Sequence, residues 1–544
     1  MNFKIAAVMN RSVVLEMENE AIFEMDREVE ISVVPTGSSA AAGNHRSKAC
    51  PVRPIQRKER RNVLTIDGLL PDSTYAVSVT DGDGTIVTQE ISTKPESVLL
   101  NVRKFGAAGD GSHDDTAAIQ AAIMACPPQG TVFVPAGTYR CTPLFLKSEM
   151  TLWLEEGAAI LGETDRSRYP VLPGMTRATN EEEEYNLASW EGNPLDCFAS
   201  LITAISVHDV DIIGRGIIDG NAAASDWWKN PRTKRTAWRP RTVFLAYSEH
   251  IRMCGVQIQN SPSWTVHPYY SNHLGFYNLT ITNPPDSPNT DGLDPESCKH
   301  VEILGTVISV GDDCMAIKSG KIYMSRVHLC PTTDIAVRNC HLKSGHGSVT
   351  IGSEIAGGVT DIRVSQCIFD GTDRGLRIKT RRGRGKTSVL NNICFEKIRM
   401  HDVLMPFTLN MFYFCDPDGH TDYVQSRQMQ PADEMTPSIG RIVAKDITCT
   451  GVHASLLCAM GLPESPIEEV CLERVTAEYA PPESRRAERP VMMDNFDPVC
   501  GSSIIAHGVR QLIVRDVTVR GADVAEPETD GVENMHTEAL VFEE

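Results

Sequence analysis

Four short polar motifs follow one another in the middle of the chain and carry the side chain types that glycosidic hydrolysis requires. They are Asn289-Thr290-Asp291-Gly292, Gly311-Asp312-Asp313-Cys314, Gly345-His346-Gly347 and Arg377-Ile378-Lys379. Hydrolysis needs one protonated carboxyl group to donate to the leaving oxygen and one ionised carboxylate to activate water. Crowding of the three aspartates raises the pKa of at least one of them through like-charge repulsion. The aspartates are therefore the candidate acid and base.

The cations of the fourth motif suggest an acidic substrate. Arg377 and Lys379 alternate on an expected strand, so both side chains share a face and can bind a substrate carboxylate. The whole chain carries a formal net charge of -19, which argues against a nucleic-acid partner. A local basic cluster inside an acidic protein is what an anionic sugar would need.

Each motif alone has an ordinary structural interpretation. Asn-Thr-Asp-Gly is a common turn sequence, an aspartate pair is often a solvated turn, and alternating cations usually form an exposed strand face. The functional interpretation depends on the four motifs occupying corresponding places in consecutive repeats.

An internal repeat supports that condition. Two pairs of alternating apolar residues, separated by a two-residue step, recur from starts at positions 251, 274, 301, 335, 362 and 393. Period-2 alternation indicates strands, and repeats that cannot bury their own apolar edge must stack. The sequence predicts an all-β fold, a right-handed parallel β-helix, with coils about 4.8 Å apart that bring the motifs onto one wall. Cys340 and Cys367 share one repeat position, so we expect buried reduced thiols rather than disulfides.

The chain divides into two expected domains. Residues 1–95 form a small β-sandwich whose Leu70–Val77 segment resembles the tyrosine corner of fibronectin type III domains. Residues 96–544 form the β-helix catalytic domain, with an amphipathic helix at Asp115–Ile123 that caps its open N-terminal end. Two long excursions interrupt the repeats, Thr164 to Pro194 (with the acidic run Glu181 to Glu184) and Pro406 to Pro431.

The N-terminal residues of the sequence lead to a prediction of location. The first residues lack a long apolar stretch and a small-residue cleavage site, and no run of 18 apolar residues occurs in the sequence. We therefore predict a cytoplasmic protein without a membrane span, and the sequence leaves its oligomeric state open.

The ordered motifs resemble the signature of the polygalacturonase family, glycoside hydrolase family 28, over roughly residues 98 to 520. The resemblance implies an inverting hydrolase of pectic polysaccharides that needs no metal or cofactor. It assigns Asp312 as the general acid and Asp291 with Asp313 as the pair that activates water. It makes His346 the residue that tunes the acid. It also implies the substrate-binding residues, which are Asn289, Arg377, Lys379 and an aromatic side chain for which we select Tyr413.

The mode of action and the exact substrate rest on further expectations. The N-terminal domain and the long excursions resemble those of bacterial exo-acting members, so we expect trimming of oligogalacturonides from the non-reducing end. Inversion is expected with acid and base carboxyls about 6.5–9.5 Å apart. The alternatives are a rhamnogalacturonan or xylogalacturonan hydrolase of the same fold, a calcium-dependent pectate lyase, and a non-enzymatic β-helix such as an adhesin.

Overall fold

A computed structural model describes residues 1–36, 54–177 and 184–543. Most of the acidic run of the first excursion, Glu181 to Glu183, lies outside the described residues. Strands make up most of the regular secondary structure of the described chain, which has three α-helices at Thr116–Ala125, Ile322–Val327 and Asp422–Gln425. No described helix is long and apolar enough to cross a membrane.

The N-terminal part is a sandwich of two antiparallel sheets. One sheet contains Asn2–Val8, Ser12–Glu18 and Val63–Asp67, and the other contains Glu24–Pro35, Ile55–Arg61, Thr74–Thr80 and Ile86–Ser92. Their facing side chains form one apolar core. Tyr75 is buried in this core, and its hydroxyl accepts a hydrogen bond of 2.8 Å from the Leu70 backbone N–H, as a tyrosine corner does. The sandwich agrees with the expected fold, while kinship with fibronectin type III domains and the boundary at residue 95 stay predictions.

The rest of the chain winds into a parallel β-helix, which confirms the predicted fold class. Its coils run through three strand ladders, whereas the repeat predicted two strands per coil. In the later coils one long strand spans more than one ladder, as Val389–His401 does. The first ladder contains Leu99–Asn101, Gly130–Val134, Met150–Leu154, His208–Gly214, Glu249–Cys254, Asn272–Tyr277, Lys299–Leu304, Thr332–Arg338, Val359–Ser365, Val389–His401, Ser438–Ile439, Arg441–Val452, Ile467–Tyr479, Ser502–Arg520 and Glu528–Glu543.

The second ladder follows the first after a bend, and the third carries the polar motifs. The second contains Asp110–Asp114, Gly137–Cys141, Ala158–Gly162, Ile217–Asp219, Gln257–Gln259, Thr280–Thr282, Val307–Ser309, His341–Lys343 and Ile368–Asp370. The third contains Leu144–Phe145, Ile202–Ile205, Val243–Ala246, Val266–Tyr269, Asp313–Ile317, Gly347–Ile351, Arg374–Lys379, Met405–Asn410 and Ser455–Met460. The repeat pattern did not predict the third ladder, whose strands, such as Asp313–Ile317 and Gly347–Ile351, are buried along their whole length.

The interior of the β-helix is a continuous apolar stack. The residues at the six repeat starts, Ile251, Leu274, Val301, Ile335, Ile362 and Ile393, are at most 3% exposed. Every cysteine in the described ranges is a free thiol, and Cys340 and Cys367 are stacked in the core, as expected.

The N-terminal end of the stack is covered by the helix Thr116–Ala125. Its residues Ile119, Ala122 and Ile123 are buried in the same core, which confirms the expected cap. The first excursion forms two short antiparallel pairs, Val171–Leu172 with Cys197–Phe198 and Thr176–Arg177 with Glu184–Tyr185.

Candidate active site

The three aspartates meet where consecutive coils enter the third ladder. Leu293 pairs with Met315, so Asp291 and Asp313 occupy the same position in adjacent coils. The Gly292 N–H donates to the Asp313 carbonyl oxygen at 3.0 Å and fixes that register. One carboxylate oxygen from each of Asp291, Asp312 and Asp313 lies within 4.8 Å of the others. The predicted convergence of these side chains is therefore present.

The nearest oxygens of the three carboxyl groups lie at most 4.8 Å apart. The scaffold explains this proximity, because Asp312 and Asp313 are chain neighbours and Asp291 lies only one coil away. The separation of about 6.5–9.5 Å in inverting glycosidases refers to whole carboxyl groups. The spacing expected for inversion therefore stays a prediction.

Asp313 is held between two cations. Its Oδ1 accepts a hydrogen bond from Arg377 Nη1 at 3.0 Å, and its Oδ2 accepts one from Lys379 Nζ at 2.8 Å. Burial acts to raise the pKa of Asp313, but the Lys379 ammonium and the Arg377 guanidinium outweigh it and hold the pKa well below its usual range. Asp313 is therefore the ionised carboxylate of the cluster.

Asp291 has the opposite electrostatic character. It is buried, and its Oδ1 has no hydrogen-bond partner among the described residues. Burial first, and then the charges of Asp294 and Asp312, raise the pKa of Asp291 well above its usual value. This direction differs from the expectation that Asp291 is an ionised water-activating group, because a like charge and a dry environment both favour the protonated form.

Asp312 and His346 complete the cluster at its accessible side. Asp312 is partly exposed, and its Oδ1 accepts a hydrogen bond of 2.9 Å from the Asp313 N–H. The backbone N–H of His346 donates to the Asp312 carbonyl oxygen at 3.0 Å. The imidazole Nδ1 of His346 lies 3.1 Å from Asp373 Oδ2. The hydrogen bond to Asp373 raises the pKa of His346, and burial opposes this while the nearby aspartates add to it. The imidazole is thus biased toward a positive charge beside Asp312.

Gly345 lets His346 approach Asp312 so closely. Its φ is +96°, and a Cβ at this position would lie 2.3 Å from the Asp312 carbonyl oxygen. Only glycine adopts this conformation without strain, so the Gly-His-Gly sequence is a steric requirement of the site.

Two further predicted residues lie at the site with specific partners. Tyr413 lines the cleft, and Lys379 Nζ lies 5.6 Å from the centre of its ring. Asn289 has a left-handed φ of 54°, and its Oδ1 accepts a hydrogen bond of 2.6 Å from Arg239 Nη2. The structure thus brings all eight predicted site residues to one wall.

Lys318 is a site residue that the sequence analysis missed. It is 3% exposed, and its Nζ lies 3.2 Å from Glu354 Oε2 and 3.9 Å from Asp291 Oδ2. Burial acts to lower the pKa of Lys318, but Glu354, Asp294 and Asp291 raise it well above its usual value. Lys318 follows Met315 and Ile317, which point inward, so strand alternation alone would have placed it on the outer face.

The shifts of Lys318 and its partners agree with one distribution of charge. Burial acts to raise the pKa of Glu354, but Lys318 and Lys321 lower it to about 2. Glu354 is therefore the ionised partner of Lys318, and at 3.2 Å it is nearer than Asp291 at 3.9 Å. The Lys318 ammonium lowers the pKa of Asp291 but does not offset the effects of burial and of the neighbouring aspartates.

A cleft of about 700 Å³ opens over the aspartates. Its apolar surface includes Trp190 and Trp238, whose rings stack with centroids 4.8 Å apart and an interplanar angle of 7°. Stacked aromatic rings are suited to contact with the apolar face of a sugar ring.

The two excursions meet at one side of the cleft. The Lys321 N–H donates to the Gly192 carbonyl oxygen of the first excursion at 2.9 Å. The Lys321 ammonium forms an ion pair of 2.8 Å with Asp416 of the second excursion. One residue therefore joins both excursions beside the cleft.

Comparison with known proteins identifies relatives of this chain. A probable polygalacturonase from Vitis vinifera is 30% identical over 69% of this chain and 73% of its own length. An exo-poly-alpha-D-galacturonosidase from Dickeya chrysanthemi is 25% identical over 65% of this chain and 63% of its own length.

Solved structures show the same architecture. An exopolygalacturonase from Thermotoga maritima superposes with a TM-score of 0.59 at 27% identity, covering 70% of this chain and 87% of that chain. A family 28 exopolygalacturonase from Yersinia enterocolitica superposes with a TM-score of 0.66 at 19% identity, covering 99% and 98%. The second likeness includes the N-terminal sandwich and shows the fold alone.

The relatives correct the prediction of location. Homologous plant and bacterial polygalacturonases are secreted or extracellular enzymes, so the prediction of a cytoplasmic protein is wrong. The prediction relied on the first residues of the sequence, and the position at which a given sequence begins decides nothing about a leader segment.

Family models match most of the β-helix. The model described as "Rhamnogalacturonase A/epimerase, pectate lyase-like" matches residues 99–166, which precede the polar motifs. The model described as "Glycosyl hydrolases family 28" matches residues 161–486, more than half of the chain, and includes all four motifs. The chain therefore belongs to glycosyl hydrolases family 28.

Proposed function

We propose that this protein hydrolyses the α-1,4-galacturonosyl linkages of polygalacturonate, with inversion and from the non-reducing end. The observation that carries the proposal is three carboxyl groups within 4.8 Å of one another, flanked by Arg377 and Lys379 at the base of a cleft. Carboxyl groups supply the acid and base, and the cations suit a sugar that bears a carboxylate. Membership of a hydrolase family supports hydrolysis over the lyase and the non-enzymatic alternatives.

The reaction assigns one proton transfer to each side of the sugar. Asp312 donates its proton to the leaving glycosidic oxygen as the bond to the anomeric carbon breaks. A water attacks that carbon from the opposite face and gives its proton to the carboxylate of Asp313. The partly exposed position of Asp312 supports its role as the acid. The low pKa of Asp313 keeps its carboxylate ionised, which is the form that a base must have before the reaction.

Asp291 serves as the second contact of the attacking water. Because its carboxyl lies beside Asp313 in the next coil, both groups can bind one water from the same side. Asp291 ionises less readily than Asp313, and Lys318 acts to lower its pKa against burial. The positively biased His346 next to Asp312 favours transfer of the acid's proton, because it stabilises the carboxylate that remains.

The contact between the two excursions beside the cleft supports exo action. An endo-acting enzyme needs a groove open at both ends, whereas Lys321 ties the Gly192 and Asp416 segments together beside the aspartates. A chain that meets this wall can enter only with its end. Release of galacturonic acid or its dimer is the expected result.

The test is incubation of the full chain with digalacturonate, trigalacturonate and polygalacturonate while NMR follows the product anomer. We expect inverted mono- or digalacturonate from the first time points, and no activity in Asp312→Asn. A retained anomer would contradict the roles of Asp291 and Asp313, and early mid-length oligomers would contradict exo action. Parallel incubations with rhamnogalacturonan and xylogalacturonan test the substrate, since faster release from either would overturn the galacturonan assignment.

A further inference from the structure

A row of histidines crosses the first ladder and takes no part in lining the cleft. His250, His273 and His300 lie near the start of consecutive strands, each with a left-handed φ of 53–54°. Their imidazole rings are neighbours but tilted, with centroids 4.9 Å apart and an angle of 43° between His250 and His273, and 4.7 Å and 33° between His273 and His300. The spacing follows from the rise between coils.

The backbone explains a polar residue at these positions but not the imidazoles. Asparagine, aspartate and histidine tolerate the left-handed conformation. The corresponding positions in later coils carry Asp334, Asp361 and Asn392, with φ between 54° and 59°. Short carboxylate and amide side chains therefore satisfy the bend equally well, and the run of histidines needs another reason.

The members of the row have different partners. His300 Nδ1 lies 2.6 Å from Asp334 Oδ2, so this imidazole already has a carboxylate. His250 and His273 share Glu249, whose Oε1 lies 4.0 Å from His250 Nε2 and 3.6 Å from His273 Nδ1. His250 Nδ1 also lies 3.9 Å from Asp209 Oδ1, and His273 Nδ1 lies 2.5 Å from Asn272 Oδ1. One ligand atom from each of Glu249, His250 and His273 lies within 4.8 Å of the other two.

We propose that Glu249, His250 and His273 bind a divalent transition-metal ion, of which Zn²⁺ is the representative. Imidazole nitrogen with a carboxylate oxygen is a preferred ligand set for zinc, copper and nickel. Zinc–nitrogen and zinc–oxygen distances of about 2.0–2.2 Å place tetrahedral ligands about 3.4 Å apart. The three side chains are each about half exposed, so rotation about their own bonds brings the ligand atoms that much closer.

The geometry of the strands gives the site its rigidity. Glu249 pairs in register with Asn272, and Ile251 pairs with Leu274, so the two coils hold the three ligands on a fixed frame. Three protein ligands and a water complete a four-coordinate site. A bound ion links two successive coils and stabilises the folded chain over the unfolded chain, because the unfolded chain has no such arrangement.

The test is titration of the EDTA-treated full chain with ZnCl₂ by calorimetry and with Cu²⁺ by electron paramagnetic resonance. We expect one saturable zinc site per chain, a copper spectrum with nitrogen hyperfine coupling, and a rise in Tm with zinc. His250→Ala and His273→Ala should each weaken zinc binding by more than about 100-fold, since losing even an outer partner of a ligand costs 10–100-fold. Hydrolytic activity of both variants should equal that of the unmodified chain.

Two control variants separate this site from other metal-binding groups. His113→Ala removes an exposed histidine that lies beside Asp110, and Cys415→Ser removes an exposed thiol. Both variants should bind zinc as tightly as the unmodified chain. The proposal is overturned by the absence of a saturable site, by binding that survives both His250→Ala and His273→Ala, or by binding that disappears with Cys415→Ser.

Discussion

The outer faces of the first and third ladders differ in whether their buried ionisable groups have hydrogen-bond partners. On the first ladder the N-terminal sandwich docks through matched groups, since Arg338 Nε and Nη2 each donate to Glu16 at 2.9 Å. Val63 of the sandwich and Tyr277 of the first ladder belong to one buried apolar cluster. On the third ladder both carboxylate oxygens of Asp294 lack a hydrogen-bond partner among the described residues, although the side chain is fully buried.

The difference shows what each face is for. A docking face gains stability when every charge has a partner, because an unpaired buried charge is costly. An active site needs pKa values displaced from their usual range, and these arise where burial and like charges are left partly uncompensated. The same stacked coils thus carry one face whose paired charges stabilise the fold and another face whose unpaired buried acids have displaced pKa values.

The largest expected effect comes from removing the charge of Asp313. Asp313→Asn should lower kcat by about 10²–10⁴-fold, because that is what general-base catalysis contributes. It should also reduce the free energy of unfolding by about 3–5 kcal/mol, because Arg377 and Lys379 lose their ionised partner. Steady-state kinetics and chemical denaturation measure the two quantities.

Asp312→Asn is the matched variant for that experiment. It should lose activity to a similar degree with little change in stability, because Asp312 is partly exposed and lies outside the cation pair. Equal stability of the Asp313 and Asp312 variants would contradict the view that the cations depend on Asp313.

Lys318→Met should have the next largest effect, through Asp291. Loss of the ammonium removes the group that opposes the raised pKa of Asp291. The acid limb of the kcat–pH profile should therefore move to higher pH, and kcat on that limb should fall at least about tenfold for each unit of displacement. Lys386→Met, which alters an exposed lysine paired with Glu434, serves as the control and should leave the profile unchanged. A uniform loss of kcat without a displaced limb would assign Lys318 a structural role instead.

The free energy of unfolding should depend on pH through Glu296, a buried acid beside the third ladder. Burial raises the pKa of Glu296 to about 8. An acid whose pKa is higher in the folded state than in the unfolded state stabilises the folded state at pH values below its unfolded pKa, which is near 4.5. This contribution is lost as the pH rises to about 8. The free energy of unfolding should thus fall by a few kcal/mol across this window, and Glu296→Gln should flatten the decline. Parallel curves for both proteins would show that another group controls the decline.

Glu16→Gln should have the smallest effect. Glu16 is buried with Arg338, and Arg338 keeps a second partner in Glu302 at 2.6 Å. Unfolding should become easier by about 1–2 kcal/mol, as for loss of one charged hydrogen-bonded contact. Activity on galacturonate oligomers should not change, and a change would show that the N-terminal sandwich is coupled to the cleft.

The sequence predicted those features that depend on repetition. The six repeat starts from Ile251 to Ile393 are buried as expected, and the motifs around Asp291, Asp313 and His346 lie together because stacking converts repeat position into proximity. Periodicity is a strong signal since each coil must match its neighbours. The helix at Thr116–Ala125 was predicted from a different periodicity, because Ile119, Ala122 and Ile123 recur at helical spacing and form its buried face.

Features that depend on the paths of loops were not predictable. Glu354 lies outside the repeat pattern, and its contact with Lys318 joins segments 36 residues apart in sequence. The bond between Lys321 and Gly192 likewise joins a turn to an excursion that has no periodicity. The pKa of Asp291 depends on how dry its surroundings are, and a motif does not encode burial.

The contact that joins the two excursions at Lys321 has a consequence for the entry of substrate and the release of product. Under the proposed exo action, the incoming chain end and the outgoing sugar use the same opening of the cleft. The departing product then competes with the next chain end for this opening, and we expect turnover to slow as free galacturonate accumulates.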